Sequence, residues 1–553
     1  MRVLGIEGTA WAASAALYDS AEDTVFIESD PYQPTSGGIH PREAAEHMGE
    51  AIPQVIRTVL DHAAETASDT GQSTGYGIDA VAFSQGPGLG PCLRTVGTAA
   101  RAAAQTLAVP LVGVNHMVAH LEIGRHQSGF ESPVCLNASG ANAHLLGFHN
   151  GRYRVLGETM DTGVGNALDK FTRHIGWSHP GGPKIEQAAA DGEYIDLPYV
   201  VKGMDFSFSG IMSAAKQAAD DGHAIEDICF SLQEHVFGML TEVAERALSL
   251  TGTDELVLGG GVGQNARLQE MLETMCTERG ASFYVPEPRF LRDNAGMIAV
   301  LGAKQFAAGQ TLSIADSAVD PNFRPDQVPV RWRADEPSVA RGLADAPSTQ
   351  PPSERPTQRG AEAVVDEIDP DQLGLSLPRR SVRKRRVPKA YRHPKLDATL
   401  RRERTAAEAR LTSEARRVGV PTPLVWDVDR DESTIVFEHV GERDLAAELA
   451  VEPVRQVGAH LAAIHEAGFV HGDPTTRNIR VGERTWLIDF GLGFHTGHIE
   501  DHAMDLHIFH QSLASTADDP EPLFEAMIAG YAETGHAAVL DRLETIEDRG
   551  RYQ

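Results

Sequence analysis

Through residues 1–325, runs dominated by apolar residues recur at 3–6, 79–84, 111–114, 133–136 and 255–258. Short runs of this kind, bounded by glycine and small polar residues, read as strands buried on both faces. Between them, helical periodicity extends from residue 41 to about 68, and an Ala-rich run covers 95–108. Strand–loop–helix alternation predicts an α/β fold. Most of the strands run out into a small-residue turn: Glu7-Gly8-Thr9, GPGLGP at 86–91, residues 137–142, and GGGVGQN at 259–265. Such turns bring backbone amides close to a phosphate or acyl group, although residues 7–9 taken alone read as a plain hairpin turn. Two of these strand-and-turn systems, near residues 6 and 136, point to a duplicated fold with a cleft between its halves.

The apolar period stops near Arg324. PSTQPPSERPTQ and its surroundings carry none, so residues 326–358 are expected to form a linker between a domain at 1–325 and one at 359–553. Trp332 there reads as an incidental lone aromatic. Gly360, Ala361, Glu362, Ala363, Val364 and Val365 open the second domain with strand character. A run with a dozen Lys and Arg between Arg379 and Arg404 follows, and is expected to contact phosphate or tRNA.

Composition narrows the setting. The 553 residues carry a formal net charge of -29, with Lys scarce and acids spread throughout. That pattern suits a surface kept soluble in concentrated salt, as in a halophilic archaeon's cytoplasm. No window reaches the ~18 consecutive apolar residues of a membrane span, and the N-terminus lacks a signal-peptide core. Four scattered cysteines without a CxxC pair read as reduced thiols.

The chemistry concentrates at two places. His116 and His120 are four apart, on one face of a helix, where both imidazoles can reach one metal ion. Position 117 is Met, so the general-base Glu of a HExxH protease is missing. A metalloprotease and a sugar- or acetate-type kinase remain alternatives for this half. In the second half, HGDPTTRN is followed by Leu487-Ile488-Asp489-Phe490-Gly491. Asp, then Asn five residues on, then DFG, matches a kinase catalytic loop. Asp473 would orient the nucleophile, and Asn478 and Asp489 would hold Mg2+. No APE follows, and a non-catalytic docking module is the alternative, opposed by retention of all three residues.

The strings GGIHPREAAEH, GPGLGPCLRTVG, NHMVAH, GNALDKF, HPGGPKIE, DFSFSGI, GGGVGQN and RDNAGMIA stand in the order seen in tRNA N6-adenosine threonylcarbamoyltransferases, and residues 1–325 resemble that family. The resemblance implies a duplicated actin-like, sugar-kinase-like domain. It implies transfer of threonylcarbamoyl from threonylcarbamoyl-adenylate to the N6 amine of adenosine 37, in tRNAs reading codons that begin with A. It also implies His116, His120 and Asp293 as ligands of one Fe(II) or Zn(II), which would act as a Lewis acid. Asp169, Gly182, Glu186 and Asn265 would hold the nucleotide, and Asn137, Ala138, Ser139, Gly140 and Ala141 would line the metal and acyl end. The family usually has Tyr, a metal ligand, where this chain has Asn137, which offers only a neutral carbonyl oxygen.

RGAEAVV, KRRVPKAYRHPKLD, RTAAEARL, HGDPTTRN, IDFGLG and EDHAMDL are similar, in order, to the atypical small serine/threonine kinase/ATPase of the KEOPS complex. This second resemblance implies a small bilobal, protein-kinase-like α+β domain with Mg-ATP at residues 360–365 and at Lys384, paired with Glu408. The whole chain then reads as a fusion of transferase and kinase, with tRNA and the other KEOPS subunits as partners and no membrane.

Overall fold

The structure, a computed structural model, describes residues 1–32, 40–68, 75–140, 142–149, 151–334, 358–360, 362–368 and 380–549. Ala141, Ala361, Arg379 and the Gly37-Gly38-Ile39 loop lie outside them.

The chain opens with β1 (Arg2–Glu7), β2 (Ala12–Asp19), β3 (Thr24–Pro31), α1 (Pro41–Ser68), β4 (Ala80–Gly86), α2 (Gly90–Leu107), β5 (Leu111–Asn115) and α3 (His116–Ser128). The strands form one sheet ordered β3-β2-β1-β4-β5, antiparallel through β1 and parallel beyond it. Parallel strands covered on both faces must be apolar throughout, which is why Val3, Leu4, Ile6, Val81, Ala82 and Phe83 are unexposed.

The pattern then repeats with β6 (Val134–Ala138), β7 (Ala143–His149), β8 (Arg152–Glu158), α4 (Val164–His174), α5 (Gly182–Ala189), β9 (Val201–Lys202), β10 (Asp205–Phe206), α6 (Ser209–Asp220), α7 (Ile225–Thr251), β11 (Glu255–Gly259), α8 (Ala266–Arg279), β12 (Ser282–Tyr284), α9 (Pro288–Leu291) and α10 (Ala295–Ala307). Its sheet runs β12-β11-β6-β7-β8, antiparallel through β6–β7–β8 and parallel through β6–β11–β12. The two sheets have the same topology, so the expected duplication is present as an actin-like α/β fold. Helix α10 returns to the first sheet, and Gly5 of β1 lets it approach: a Cβ there would collide with the Ala295 carbonyl and Ala299.

Residues 325–334 pack back onto this half. Trp332 stacks on Tyr153, ring centroids 6.2 Å apart and 20° from parallel, and the Arg333 guanidinium lies 3.7 Å from the Phe148 ring centroid. Trp332 is therefore a docking residue, not an incidental aromatic. A ring that finds a matching aromatic face buries area that a linker position otherwise leaves in water.

The second half begins with β13 (Gln358–Arg359), β14 (Ala363–Ile368), β15 (Ser381–Arg386), α11 (Pro394–Arg417), β16 (Val425–Asp429) and β17 (Thr434–Glu438). These strands make an antiparallel sheet ordered β13-β14-β15-β17-β16. A mostly helical part follows: β18 (Arg443–Asp444), α12 (Val451–Glu466), β19 (Phe469–Val470), β20 (Ile479–Val481), β21 (Thr485–Leu487), β22 (Phe494–His495), α13 (Ile499–Thr516), α14 (Glu521–Ala532) and α15 (Ala537–Arg549). Leu461, Phe490, Phe509 and Tyr531 centre its core.

Helix α7 joins the two halves. Most of its residues are buried, including Glu242, Glu245 and Arg246. Lys389 lies 2.6 Å from Glu245, Arg392 2.5 Å and Arg404 3.0 Å from Glu242, and Arg386 2.6 Å from Glu362. Four cations of the run expected to meet tRNA are thus buried in ion pairs (Arg386, Lys389, Arg392 and Arg404), and that expectation is corrected for them. A buried charge is tolerated only when paired and hydrogen-bonded, and the acids of α7 and Glu362 satisfy these four.

Candidate functional site

Asn115 caps α3, its side chain accepting from the Val118 amide at 3.1 Å, and this starts the helix directly at His116. His116 and His120 then lie one turn apart, ring centroids 4.8 Å apart at 85°. Asp293 comes from the turn before α10, where Asn294 caps that helix. Its Oδ1 is 3.4 Å from Nε2 of both histidines, and one donor atom from each residue lies within 4.8 Å of the other two. Met117 is buried and apolar, so the helix supplies no base beside the pair.

Two residues not singled out from the sequence complete this centre. Glu7, at the end of β1, has Oε2 3.2 Å from His116 Nδ1, and Ser84 of β4 donates to the same oxygen. Burial alone would lower the His116 pKa, but Glu7 and Asp293 override it and raise it to about 10. Burial would raise Asp293, yet the two histidines hold it well below the usual carboxylate range. His120 is pushed down by burial and by His116. An ionised carboxylate and two imidazole nitrogens converging from separate elements suit a divalent cation. Asn137 Oδ1, at the end of β6, is buried without a hydrogen-bond partner among the described residues, as fits a ligand oxygen.

Ala138 is buried in β6, while Ser139 Oγ accepts from the Asn142 amide at 3.1 Å and donates to its carbonyl at 2.8 Å. Gly165 N donates to Ser139 O at 3.1 Å and Asn166 N to Gly140 O at 2.9 Å, which docks this turn on the start of α4. The four expected nucleotide residues form a separate group. Asp169 accepts from Gly181 N at 2.7 Å, beside Gly182, whose Cβ direction is open. Glu186 accepts from Ala266 N at 2.8 Å, and Asn265 caps α8 and donates to Gln233 at 2.8 Å. These bonds tie the α4–α5 turn and the α8 N-terminus into a defined rim.

In the second half, Lys384 Nζ lies 2.8 Å from Glu408 and 2.7 Å from Asp489, with Arg386 2.6 Å from Glu408. Burial would raise Asp489, but Lys384 and Arg386 bring it to about 2. Asn478 donates to the Asp473 carbonyl at 2.9 Å and its carboxylate at 3.0 Å. Asp505 of α13 accepts from His471 N at 2.7 Å and Gly472 N at 2.8 Å, fixing the loop. Burial drives the Asp473 pKa up to about 7, with Asp489 and Glu362 adding and Arg246 opposing. Arg246 belongs to α7 of the first half, yet its Nη1 is 3.3 Å from Asp473 and its Nη2 2.6 Å from Glu362. Gly360 N donates to Ala363 O at 2.9 Å, and β14 carries Ala363, Val364 and Val365.

The profile of the tRNA N6-adenosine threonylcarbamoyltransferase family matches residues 23–300. Over its full length the chain is 67% identical to a protein of Haloquadratum walsbyi across 553 residues, covering all of both chains. It is 65% identical to one of Haloarcula marismortui across 568 residues, again covering both completely. Against one of Methanospirillum hungatei it is 51% identical across 553 residues, covering 100% of this chain and 99% of that one. Each of these relatives bears the name probable bifunctional tRNA threonylcarbamoyladenosine biosynthesis protein.

Proposed function

The chain belongs to the tRNA N6-adenosine threonylcarbamoyltransferase family, and from that premise we propose how its two halves divide the work. It is a bifunctional enzyme of tRNA threonylcarbamoyladenosine biosynthesis. The first half takes threonylcarbamoyl-adenylate into the cleft of the actin-like fold and presents it to N6 of adenosine 37 of the tRNA. The observation that carries this reading is the convergence of His116, His120 and Asp293 within 4.8 Å.

His116, His120 and Asp293, with the Asn137 carbonyl, hold one Fe(II) or Zn(II). When bound, that ion supplies Lewis-acid polarisation and a template for the adenylate. Glu7 faces Nδ1 of His116 and would hold the proton there, which would free Nε2 for the ion once Nε2 gives up its own proton. The turn of Ser139 and Gly140 receives the acyl end, and Asp169, Gly182, Glu186 and Asn265 form the nucleotide rim.

The second half is a small kinase/ATPase of α+β architecture that regulates or supports the transfer. Lys384, anchored by Glu408, binds the phosphates of Mg-ATP beside Gly360. Asn478 and Asp489 hold the magnesium, and Asp473 orients the nucleophile. The enzyme works in the cytoplasm with other subunits of the KEOPS complex. Among the described residues no helix is long and apolar enough to cross a membrane.

Mass spectrometry of tRNA nucleosides after depletion of the protein tests the transfer. Threonylcarbamoyladenosine should fall toward zero, and an unchanged level overturns the reading.

A further inference from the structure

Four polar atoms close to the histidine pair have no hydrogen-bond partner among the described residues: His120 Nδ1, Asn137 Oδ1 and both ring nitrogens of His144. A buried polar group left unpaired forfeits the hydrogen bonds it made to water. Several gathered in one place therefore point to something that binds there.

His144 of β7 stands directly across from Asn137 of β6, which pairs in turn with Gly259 of β11. Residues directly opposite on neighbouring strands project from the same face of a sheet. Gly259 has no side chain, and a Cβ there would lie 3.4 Å from the Asn137 carbonyl oxygen and 3.8 Å from the His120 Cβ. The row of His144, Asn137 and Gly259 thus lies on the face against which the His120 turn of α3 packs. His144 is 1% exposed. Its nitrogens stand outside the 4.8 Å group of His116, His120 and Asp293. With the Asn137 oxygen these make four protein donors, an ion that takes five or six leaves room for another, and a third imidazole makes a nitrogen-rich set suited to Zn(II) or Fe(II).

We propose that His144 is an additional metal-ligating residue, closing the site from the β6–β7 strands opposite the α3 histidines. The inference rests on the reading of His116, His120 and Asp293 as ligands.

The test uses the full chain in molar potassium chloride. One equivalent of Cu(II) is added and coordinated imidazoles are counted by pulsed EPR, and Zn(II) affinity is measured by chelator competition. The expected result is three imidazoles in the wild type and two in His144→Gln, with Zn(II) affinity lower by roughly 10-fold or more. Two imidazoles in the wild type overturn the proposal, as does a folded His144→Gln that keeps both count and affinity. The wild-type count decides the matter even where the variant does not fold. His116→Ala separates the two readings. If it leaves the Cu(II) spectrum and Zn(II) affinity unchanged, the ligand reading itself falls and takes this inference with it. If it abolishes binding while the wild type shows two imidazoles, only His144 is excluded.

Discussion

The His116, His120 and Asp293 cluster of the first half and the cleft of the second both set a carboxylate beside nitrogen-bearing side chains. Asp293 lies 3.4 Å from His116 and His120, and Asp489 lies 2.7 Å from Lys384 with Arg386 beyond. They differ in what completes them. Every residue of the first cluster comes from the first half: Glu7, Ser84, His116, His120 and Asp293. The second cleft is closed from outside, because Arg246 of α7 reaches both Glu362 and Asp473. The first site is therefore self-contained, whereas in the second an arginine of the other half opposes the burial that favours protonated Asp473. Coupling between the halves is expected to run through this helix.

The sharpest way to break that contrast is Asp293→Ala. It should lower threonylcarbamoyl transfer by roughly 10²–10³-fold and abolish Zn(II) uptake, while ATP hydrolysis stays at the wild-type rate. A parallel loss of ATP hydrolysis would show that the first site is not self-contained. The converse is Asp473→Ala, for which ATP hydrolysis should fall on the order of 10²-fold or more with Zn(II) uptake unchanged.

Arg246→Ala probes the link itself. Removing one partner of a buried ion pair costs about 3–5 kcal/mol, which differential scanning calorimetry would register as a lower melting temperature. The pH profile carries the more specific signal. A carboxylate raised to about 7 is protonated below that pH, so ATP hydrolysis that needs it ionised should rise as pH increases through 7. Arg246 favours the ionised form, and its loss should move that rise to higher pH. An unmoved profile would detach Arg246 from the chemistry of Asp473. The smallest effect is expected for Glu7→Gln, which keeps the shape but removes the charge facing His116 Nδ1. Zn(II) affinity should weaken roughly 10–100-fold, with the pH profile of ATP hydrolysis unaltered.

What was legible in the chain followed spacing. His116 and His120 are neighbours because a helix turn puts them so, and Asp473 and Asn478 sit five residues apart in one loop fixed by Asp505. The duplicated strand-and-turn systems also declared themselves, since buried parallel strands must be continuously apolar. Residues whose partners lie far along the chain did not. Arg246 and Asp473 are 227 positions apart, and Lys389 and Glu245 are 144 apart. The basic run read as a surface for phosphate because its counter-charges sit on a helix in the other half. Glu7 looked like part of a plain turn because nothing local shows that β1 ends beside His116. His144 gave no signal, as a lone histidine in an alternating strand has no spacing to mark it.

By itself the sequence determined the α/β duplication of the first half, the histidine pair, and the spacing of Asp473 and Asn478 within one loop, because each depends on local periodicity or fixed spacing. The tertiary structure alone decided which charges are buried, what completes each site, and that α7 links them. Those outcomes depend on which distant segments the packing brings together, and on the rule that a charge taken out of water must find its opposite.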